Sequence, residues 1–155
     1  MQTAIHAAKA DEMSLVRKLF LKYAESLGFS LCFQGFDQEL AALPGKYAPP
    51  DGVILLGWVQ DQPVGVVGLR KLEEGVCEMK RLYVQPEHRG SGLGRQLTEA
   101  VLQEASQRGY QLMRLDTLPN MEAARKLYQQ LGFKQIPPYY DNSPCGSICM
   151  EKRLE

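Results

Sequence analysis

Three glycines in the segment Arg89-Gly90-Ser91-Gly92-Leu93-Gly94 mark the part of the sequence best suited to chemistry. Because glycine lacks a Cβ atom, this backbone can adopt positive φ and let an anion approach closely. Successive backbone N–H groups, together with the positive end of a following helix, can then bind phosphate oxygens. Arg89 adds a full positive charge at the mouth of the turn. The segment therefore predicts a phosphate-binding turn.

Two common nucleotide motifs fail at this turn. A dinucleotide fingerprint G-x-G-x-x-G starting at Gly90 would need its third glycine where the chain has Arg95, and Asp116 comes slightly late for the ribose-binding acid. A P-loop needs Gly-Lys-Ser/Thr at the helix start, where the chain reads Gly94-Arg95-Gln96. A glycine turn that merely joins a strand to a helix stays open as an alternative.

The elements on either side of the turn position it. Residues 76–84 are rich in apolar and β-branched types and predict a strand that Pro86 ends. A helix is expected at about 93–107, followed by a strand at 112–115. The buried stripe of that helix is formed by Leu93, Leu97, Val101 and Ala105. A strand–helix–strand passage needs a crossover, so we expect the two strands to be parallel.

The other segments complete a single domain over residues 1–155. They predict, in order, a strand at 4–7, a helix capped by Asp11 and ended by Gly28, a short helix near 37–43, a hairpin of strands 53–59 and 64–72, a helix capped by Asn120 and ended by Gly132, and strands at 133–136 and 148–152. This order indicates an α/β domain of the α+β type with a mixed sheet of about seven strands.

The composition excludes several classes of protein. Lys plus Arg equals Asp plus Glu at 18 each, which argues against a dedicated nucleic-acid binder. The sequence shows neither a signal peptide nor an apolar run near the ~20 residues of a membrane span, so we expect a cytoplasmic protein without membrane partners. The four cysteines fit reduced thiols, and the Cys145/Cys149 spacing lacks a second ligand pair, so no metal is expected.

Two longer segments resemble the motifs of one family. The run from Glu78 to Gly94 resembles motif A of the GNAT (Gcn5-related N-acetyltransferase) superfamily, whose signature Arg/Gln-x-x-Gly-x-Gly/Ala is met by Arg89, Gly92 and Gly94. The run from Asn120 to Phe133 resembles its motif B. Residues 1–75 resemble the family in the order of their helices and strands more than in sequence motifs. The resemblance implies the GNAT fold, with helices on both faces of the sheet and a splay between the fourth and fifth strands.

The resemblance also implies acetyl-CoA as a co-substrate and no metal. The pantetheine arm would lie in the splay, the backbone N–H groups of the glycine turn would hold the pyrophosphate, and one asparagine side chain would contact the pantetheine or nucleotide end. The implied cofactor-binding residues are Leu82, Tyr83, Val84, Arg89, Gly90, Ser91, Gly92, Leu93, Gly94, Arg95 and Asn120. Asn120 can equally serve as a plain helix cap, and the two roles can coexist.

Acetyl transfer requires a neutral amine, although an alkyl amine with a pKa near the lysine value of ~10.4 is mostly protonated at neutral pH. By position in the motif, Glu78 is the implied general base, acting through water. Alternatively, Glu78 simply pairs with Lys80 or with a base on the neighbouring strand. On a regular strand Glu78, Lys80, Leu82 and Val84 would share one face, and Cys77 would point to the other. Direct attack is therefore expected, without an acetyl-cysteine intermediate.

The resemblance assigns the general acid to Tyr128, which would protonate the departing thiolate because a phenol with a pKa near ~10 keeps its proton at neutral pH. The alternative is a core tyrosine. Backbone N–H groups between Leu82 and Val84 would stabilise the oxyanion.

In this superfamily the acceptor contacts the loop after the first helix and the loop before the last strand. The corresponding residues are Phe33, Gln34, Tyr139 and Tyr140. Their aromatic and small polar groups suit a primary amine of a small molecule or an amino-acid-like acceptor, bound by a monomer or homodimer. A protein lysine or N-terminal acetyltransferase stays open. So does a non-catalytic acyl-CoA sensor, which the presence of both Glu78 and Tyr128 disfavours.

Overall fold

A seven-stranded sheet forms the centre of the protein. The computed structural model describes residues 3–27, 35–119, 121–139 and 147–154. The strands are β1 (Thr3–Ala7), β2 (Val53–Val59), β3 (Gln62–Glu73), β4 (Val76–Val84), β5 (Leu112–Thr117), β6 (Lys134–Ile136) and β7 (Ile148–Arg153). The helices are α1 (Met13–Leu27), α2 (Phe36–Ala41), α3 (Leu93–Gln107) and α4 (Glu122–Gln130).

The sheet is mixed, as expected. Its strand order is β1-β2-β3-β4-β5-β7-β6. Strands β1 to β4 pair antiparallel in succession, and β7 pairs antiparallel with both β5 and β6. The β4–β5 pair is parallel, because α3 crosses over between the two strands. The α+β architecture predicted from the element order is confirmed.

Helices cover both faces of the sheet. The predicted stripe of α3 (Leu93, Leu97, Val101 and Ala105) is fully buried in the core on one face. Strand glycines make room for it, since a Cβ on Gly65 would lie 2.9 Å from Leu97 Cδ1. On the other face, α1 and α2 bury a second apolar cluster that includes Val16, Phe20 and Phe36. Two separate cores thus hold the sheet in place.

β4 and β5 separate partway along their length. Their parallel pairing joins only Val76–Glu78 to Leu112–Arg114, whereas β4 runs on to Val84 and β5 to Thr117. The expected splay between the fourth and fifth strands is therefore present. It leaves part of the β4 backbone without a neighbouring strand on that side.

A bulge in β4 changes which residues share a face. Arg81 has φ 63°, and the β3–β4 register shifts at this point. Cys77 and Met79 pack into the α3-side core before the bulge, and Leu82 and Val84 pack there after it. The expectation that Glu78, Lys80, Leu82 and Val84 lie on one face is therefore wrong, because one extra residue inverts the alternation.

The first helix also begins differently from the prediction. Asp11 is not its cap, since residues Ala10–Glu12 form a 3-10 turn before α1. The Lys9 backbone N–H donates to the Glu12 carboxylate at 2.9 Å and begins this turn.

Candidate functional site

A cleft of about 470 Å³ opens where the splay meets the glycine turn. Its walls are the end of β4, the turn, the first residues of α4 and the last turns of α1. The lining residues include Leu82, Tyr83, Val84, Arg89, Gly90 and Gly94. The structure thus brings six of the eleven predicted cofactor-binding residues to one cavity.

The glycine turn has room for an anion beside its backbone. Gly90 and Gly92 adopt φ of 83° and 87°, and a Cβ placed on either would meet nothing within 4 Å. The Gln96 N–H donates to the Gly92 carbonyl, so the N–H groups of Leu93, Gly94 and Arg95 precede the hydrogen-bonded ladder of α3. No side chain caps this helix start in the described structure. Free amides and the positive helix end together fit a pyrophosphate.

The side chains of the turn stabilise it more than they fill the cleft. Arg89 Nε donates to the Val84 carbonyl at 2.9 Å, and its guanidinium lies 5.5 Å from the centre of the Tyr83 ring. The Ser91 hydroxyl donates to the His88 carbonyl at 2.6 Å. The Arg89 contacts join the turn to the end of β4, and the Ser91 bond lies within the turn.

Two residues of the predicted set can contribute through their backbone alone. The Leu93 side chain is 1% exposed and belongs to the core. The Arg95 side chain lies along α3 and α4, pairing with Glu99 at 3.4 Å and donating to Gln130 at 3.2 Å. Their N–H groups still belong to the first turn of α3.

Glu78 lies at the last paired position before the splay and is 2% exposed. Its Oε1 accepts a hydrogen bond from Arg70 Nε at 2.8 Å, and its Oε2 accepts one from the Tyr139 hydroxyl at 2.5 Å. Burial, followed by the charge and hydrogen bond of Glu78, raises the pKa of Tyr139 well above its ordinary value. The cross-strand base considered from the sequence exists and is Arg70, not Lys80.

A second ion pair spans the splay itself. Lys80 on β4 and Asp116 on β5 approach to 3.5 Å, with side chains only 6% and 14% exposed. Together with the Arg70–Glu78 pair, they place two carboxylates and two cations where the strands separate. Burying paired charges costs desolvation energy, which their attraction repays only where the geometry is good and further hydrogen bonds are made. This clustering of buried charge is typical of a site that handles a polar substrate.

Tyr128 lies on α4 with its ring packed edge-on against Phe133, the centres 5.7 Å apart. It is 5% exposed. Burial raises its pKa above the ordinary 10.0, and Tyr23 and Asp116 add to the shift. The phenol therefore keeps its proton at neutral pH. Tyr128 thus belongs to the α3-side core and is not among the residues that line the cleft, so the donor role stays a prediction.

Cys77 faces away from Glu78, as the strand alternation predicts. Its thiol lies 3.4 Å from the Leu112 carbonyl in the α3-side core, and burial raises its pKa to about 12. A reactive thiolate is disfavoured there.

Four predicted site residues lie outside the described part of the chain: Asn120, Phe33, Gln34 and Tyr140. Their roles stay predictions. Tyr139 is described, and its contact with Glu78 brings the loop before the last strand to the splay.

Sequence reasoning missed two residues of the splay as site residues. Arg70 carried no motif, and only its position on the strand paired with β4 could have identified it. The sequence motifs offer Asp116 only the role of a ribose ligand, although it follows the β4–β5 ladder by two residues. Both become visible once the register is known.

Across the described ranges, no helix combines the length and apolar character that crossing a bilayer demands. The same ranges hold no group of three or more His, Cys, Asp or Glu side chains placed to bind a metal ion.

Comparison with known proteins identifies the family. Residues 16–133 match the model of the acetyltransferase (GNAT) family. An uncharacterised N-acetyltransferase of Schizosaccharomyces pombe is 41% identical over 148 residues, covering 90% of this chain and 85% of that protein. A GNAT acetyltransferase structure from Staphylococcus aureus superposes with a TM-score of 0.81 at 16% identity, covering 99% of this chain and all of the other.

One further similar structure contains coenzyme A. It is the PaiA N-acetyltransferase of Thermoplasma acidophilum, which superposes with a TM-score of 0.75 at 16% identity and covers 99% of this chain and 100% of its own. The family match, the sequence relative and the shared fold agree: this chain belongs to the acetyltransferase (GNAT) family and is an acyl-CoA-dependent N-acetyltransferase.

Proposed function

We propose that this enzyme transfers the acetyl group of acetyl-CoA directly to the primary amine of a small, amino-acid-like acceptor. The main support for this class of acceptor is the presence of two ion pairs at the splay, Arg70–Glu78 and Lys80–Asp116. Buried charges of both signs complement a small molecule that bears an ammonium and an anionic or polar group. The methylene stem of a protein lysine would gain little from such a site.

Acetyl-CoA would bind in the 470 Å³ cleft. Its pyrophosphate would accept hydrogen bonds from the N–H groups between Arg89 and Arg95, and its pantetheine arm would lie against the exposed backbone of Leu82 to Val84. Positive φ at Gly90 and Gly92 and the open space above them support this placement. Asn120 would contact the pantetheine or nucleotide end.

Glu78 is the proposed base for the acceptor ammonium. Because hydrogen bonds already occupy both of its oxygens, the Tyr139 hydroxyl supplies a route for the proton. Tyr139 would take the ammonium proton on its oxygen as it passes its own proton to Glu78 Oε2. Arg70 holds the carboxylate in place during this transfer. The neutral amine then attacks the thioester carbon, and the backbone near Leu82 stabilises the developing oxyanion.

Tyr128 is the proposed acid for the departing thiolate. Its raised pKa keeps it protonated throughout the neutral range, and helix α4, which carries it, also supplies the cleft-lining residues Ala124 and Leu127. The buried, high-pKa thiol of Cys77 supports direct attack over a covalent enzyme intermediate.

Thiol release from acetyl-CoA against a panel of amines tests this proposal. The panel should contain amino acids, simple alkyl amines without a second polar group, and lysine-containing or free N-terminal peptides. We expect turnover on amino-acid-like members, identified by mass spectrometry of the acetylated product. Preference for alkyl amines or peptides would contradict the acceptor class. Acetyl-CoA binding with no turnover on any amine would favour a non-catalytic sensor.

A further inference from the structure

Arg81 occupies an unusual position in the middle of a buried strand. Its backbone φ is 63°, a value that residues with a Cβ atom rarely adopt, and the residue is 4% exposed. Across the sheet, β3 residue Val66 pairs with Tyr83 and Gly68 with Lys80, so Arg81 and Leu82 stand opposite Val67 alone. The chain here is a β-bulge formed by an arginine rather than by glycine. A backbone conformation of this kind persists only where the surrounding structure stabilises it.

Contacts from the face covered by α1 and α2 hold it. Arg81 donates from Nε to Glu39 Oε2 at 3.1 Å and from its second terminal nitrogen to Oε1 at 3.0 Å, so the guanidinium and carboxylate meet in a fork. The Tyr47 hydroxyl donates to the same Oε2 at 3.2 Å. The rings of Tyr23 and Phe36 lie 5.9 and 5.2 Å from the guanidinium carbon. A buried charge paired at both carboxylate oxygens has little freedom.

The bulge decides what β4 presents to the cleft. It turns Leu82 and Val84 to the α3 side, and Leu82, Tyr83 and Val84 all line the cavity that extends to the glycine turn. A bulge also removes backbone groups from the ladder, which frees them for another partner. Without the inversion at Arg81, the alternation of β4 would place other residues in the cleft.

We propose that Arg81 is a positioning residue for acetyl transfer. Its fork with Glu39 holds the β4 bulge in the form that directs the backbone N–H at Leu82 to the thioester carbonyl of acetyl-CoA. The pair therefore links helix α2, on the face that carries Glu78, to the backbone that stabilises the oxyanion. This inference rests on the proposed binding mode of acetyl-CoA.

The infrared carbonyl stretch of bound [1-13C]acetyl-CoA tests it directly. A hydrogen bond from the backbone lowers this frequency relative to free acetyl-CoA, whatever acceptor the enzyme uses. The variant is the double substitution Arg81→Gly with Glu39→Gln, because glycine permits the bulge without enforcing it and glutamine leaves no unpaired buried charge. Glu104→Gln, in the remote Arg108–Glu104 pair on α3, is the matched control.

We expect wild type and Glu104→Gln to show the lowered frequency and the double variant to return towards the value of free acetyl-CoA. Its kcat on any amine that the panel identifies should fall about 100-fold, the usual cost of one oxyanion donor, while the Kd for acetyl-CoA changes little. A frequency and kcat like wild type, with a lower melting temperature alone, would overturn the proposal and leave a purely structural ion pair.

Two further outcomes are decisive. If the double variant does not fold, Glu39→Gln alone serves, because it keeps the side-chain volume and one acceptor oxygen; an intermediate frequency supports the proposal and an unchanged one overturns it. If acetyl-CoA does not bind to the wild type, the proposed binding mode fails, and the positioning role of Arg81 fails with it. Binding by the wild type without a lowered frequency overturns the positioning role alone.

Discussion

The Arg70 guanidinium and the Glu78 carboxylate meet across β3 and β4 at 2.8 Å, at the last paired position of the β4–β5 ladder. Because Tyr139 occupies the other carboxylate oxygen, Glu78 is held from two sides at the start of the splay. A carboxylate fixed in this way has a defined orientation, and Tyr139 connects it to the segment that follows β6. Kinetic measurements can separate the proposed role of Glu78 as a base from its role as a partner of Arg70 and Tyr139.

Substituting Glu78 with Gln should lower kcat/KM for the amine about 100-fold at neutral pH, the usual contribution of a general base. The defect should shrink as the pH approaches the pKa of the amine, because the substrate then arrives already neutral. A pH profile of kcat/KM from 7 to 10 measures this. Arg70→Gln is the control for the ion pair. An equal, pH-independent loss in both variants would assign Glu78 a structural role only.

Replacing Tyr128 with Phe should lower kcat about 100-fold and leave acetyl-CoA affinity nearly unchanged, since only the proton donor is removed. The remaining ring still packs on Phe133, so the fold should persist. Steady-state kinetics and calorimetry give the two numbers. Tyr110→Phe is a matched control, because that hydroxyl bonds to the Asp51 carbonyl. Equal kcat values for Tyr128→Phe and wild type would rule out the acid role.

Gly94→Ala should weaken acetyl-CoA binding about tenfold, equivalent to ~1.4 kcal/mol, without loss of stability. Gly94 lines the cleft, and an added Cβ would make only an ordinary 3.9 Å contact with Val84. The methyl group would therefore take up space in the cleft where acetyl-CoA is proposed to bind, without displacing protein atoms. Titration calorimetry and thermal unfolding separate the two effects, with the exposed Gln103→Ala on the same helix as control. Unchanged affinity would mean that acetyl-CoA does not approach this helix start.

Cys77 makes stability depend on pH in the alkaline range. Burial raises its pKa from 9.0 to about 12, so the unfolded chain loses this proton at lower pH than the folded one. The contribution is complete below pH 9 and is lost as pH rises towards 12, at about 1.4 kcal/mol per pH unit. Urea unfolding of wild type and Cys77→Val between pH 8.5 and 11 should therefore give a shallower decline for the variant. Parallel curves would contradict the buried neutral thiol.

Local signals in the sequence were enough for the elements and for the donor site. The bounds of β4 and α3 are those predicted, because Pro86 and Gly109 each lie only two residues beyond the element that they end. The glycine turn is likewise one short segment, and its residue types alone indicate phosphate binding. The order of elements then determines the parallel β4–β5 pair through its crossover.

The Arg70–Glu78 pair at the splay and the side of the sheet that Leu82 and Val84 face could not be predicted, because each depends on a bulge. An unshifted hairpin that pairs Glu73 with Val76 would place Lys71 opposite Glu78, and the register shift between Lys71 and Glu73 puts Arg70 there instead. The second bulge, at Arg81, inverts the faces of β4. Its partner Glu39 lies 42 positions away on α2 and belongs to no motif. Bulges arise from tertiary contacts that single-strand alternation does not encode.

Titration calorimetry of acetyl-CoA into the purified wild-type protein and into Gly92→Val tests the central claim most directly. Gly92 has φ 87° at the start of α3, so valine would both strain the turn and cover its N–H groups. We expect one acetyl-CoA bound per wild-type chain, and no measurable binding to a Gly92→Val variant that still folds by circular dichroism. Absence of binding to the wild type, or equal binding to both proteins, would contradict it.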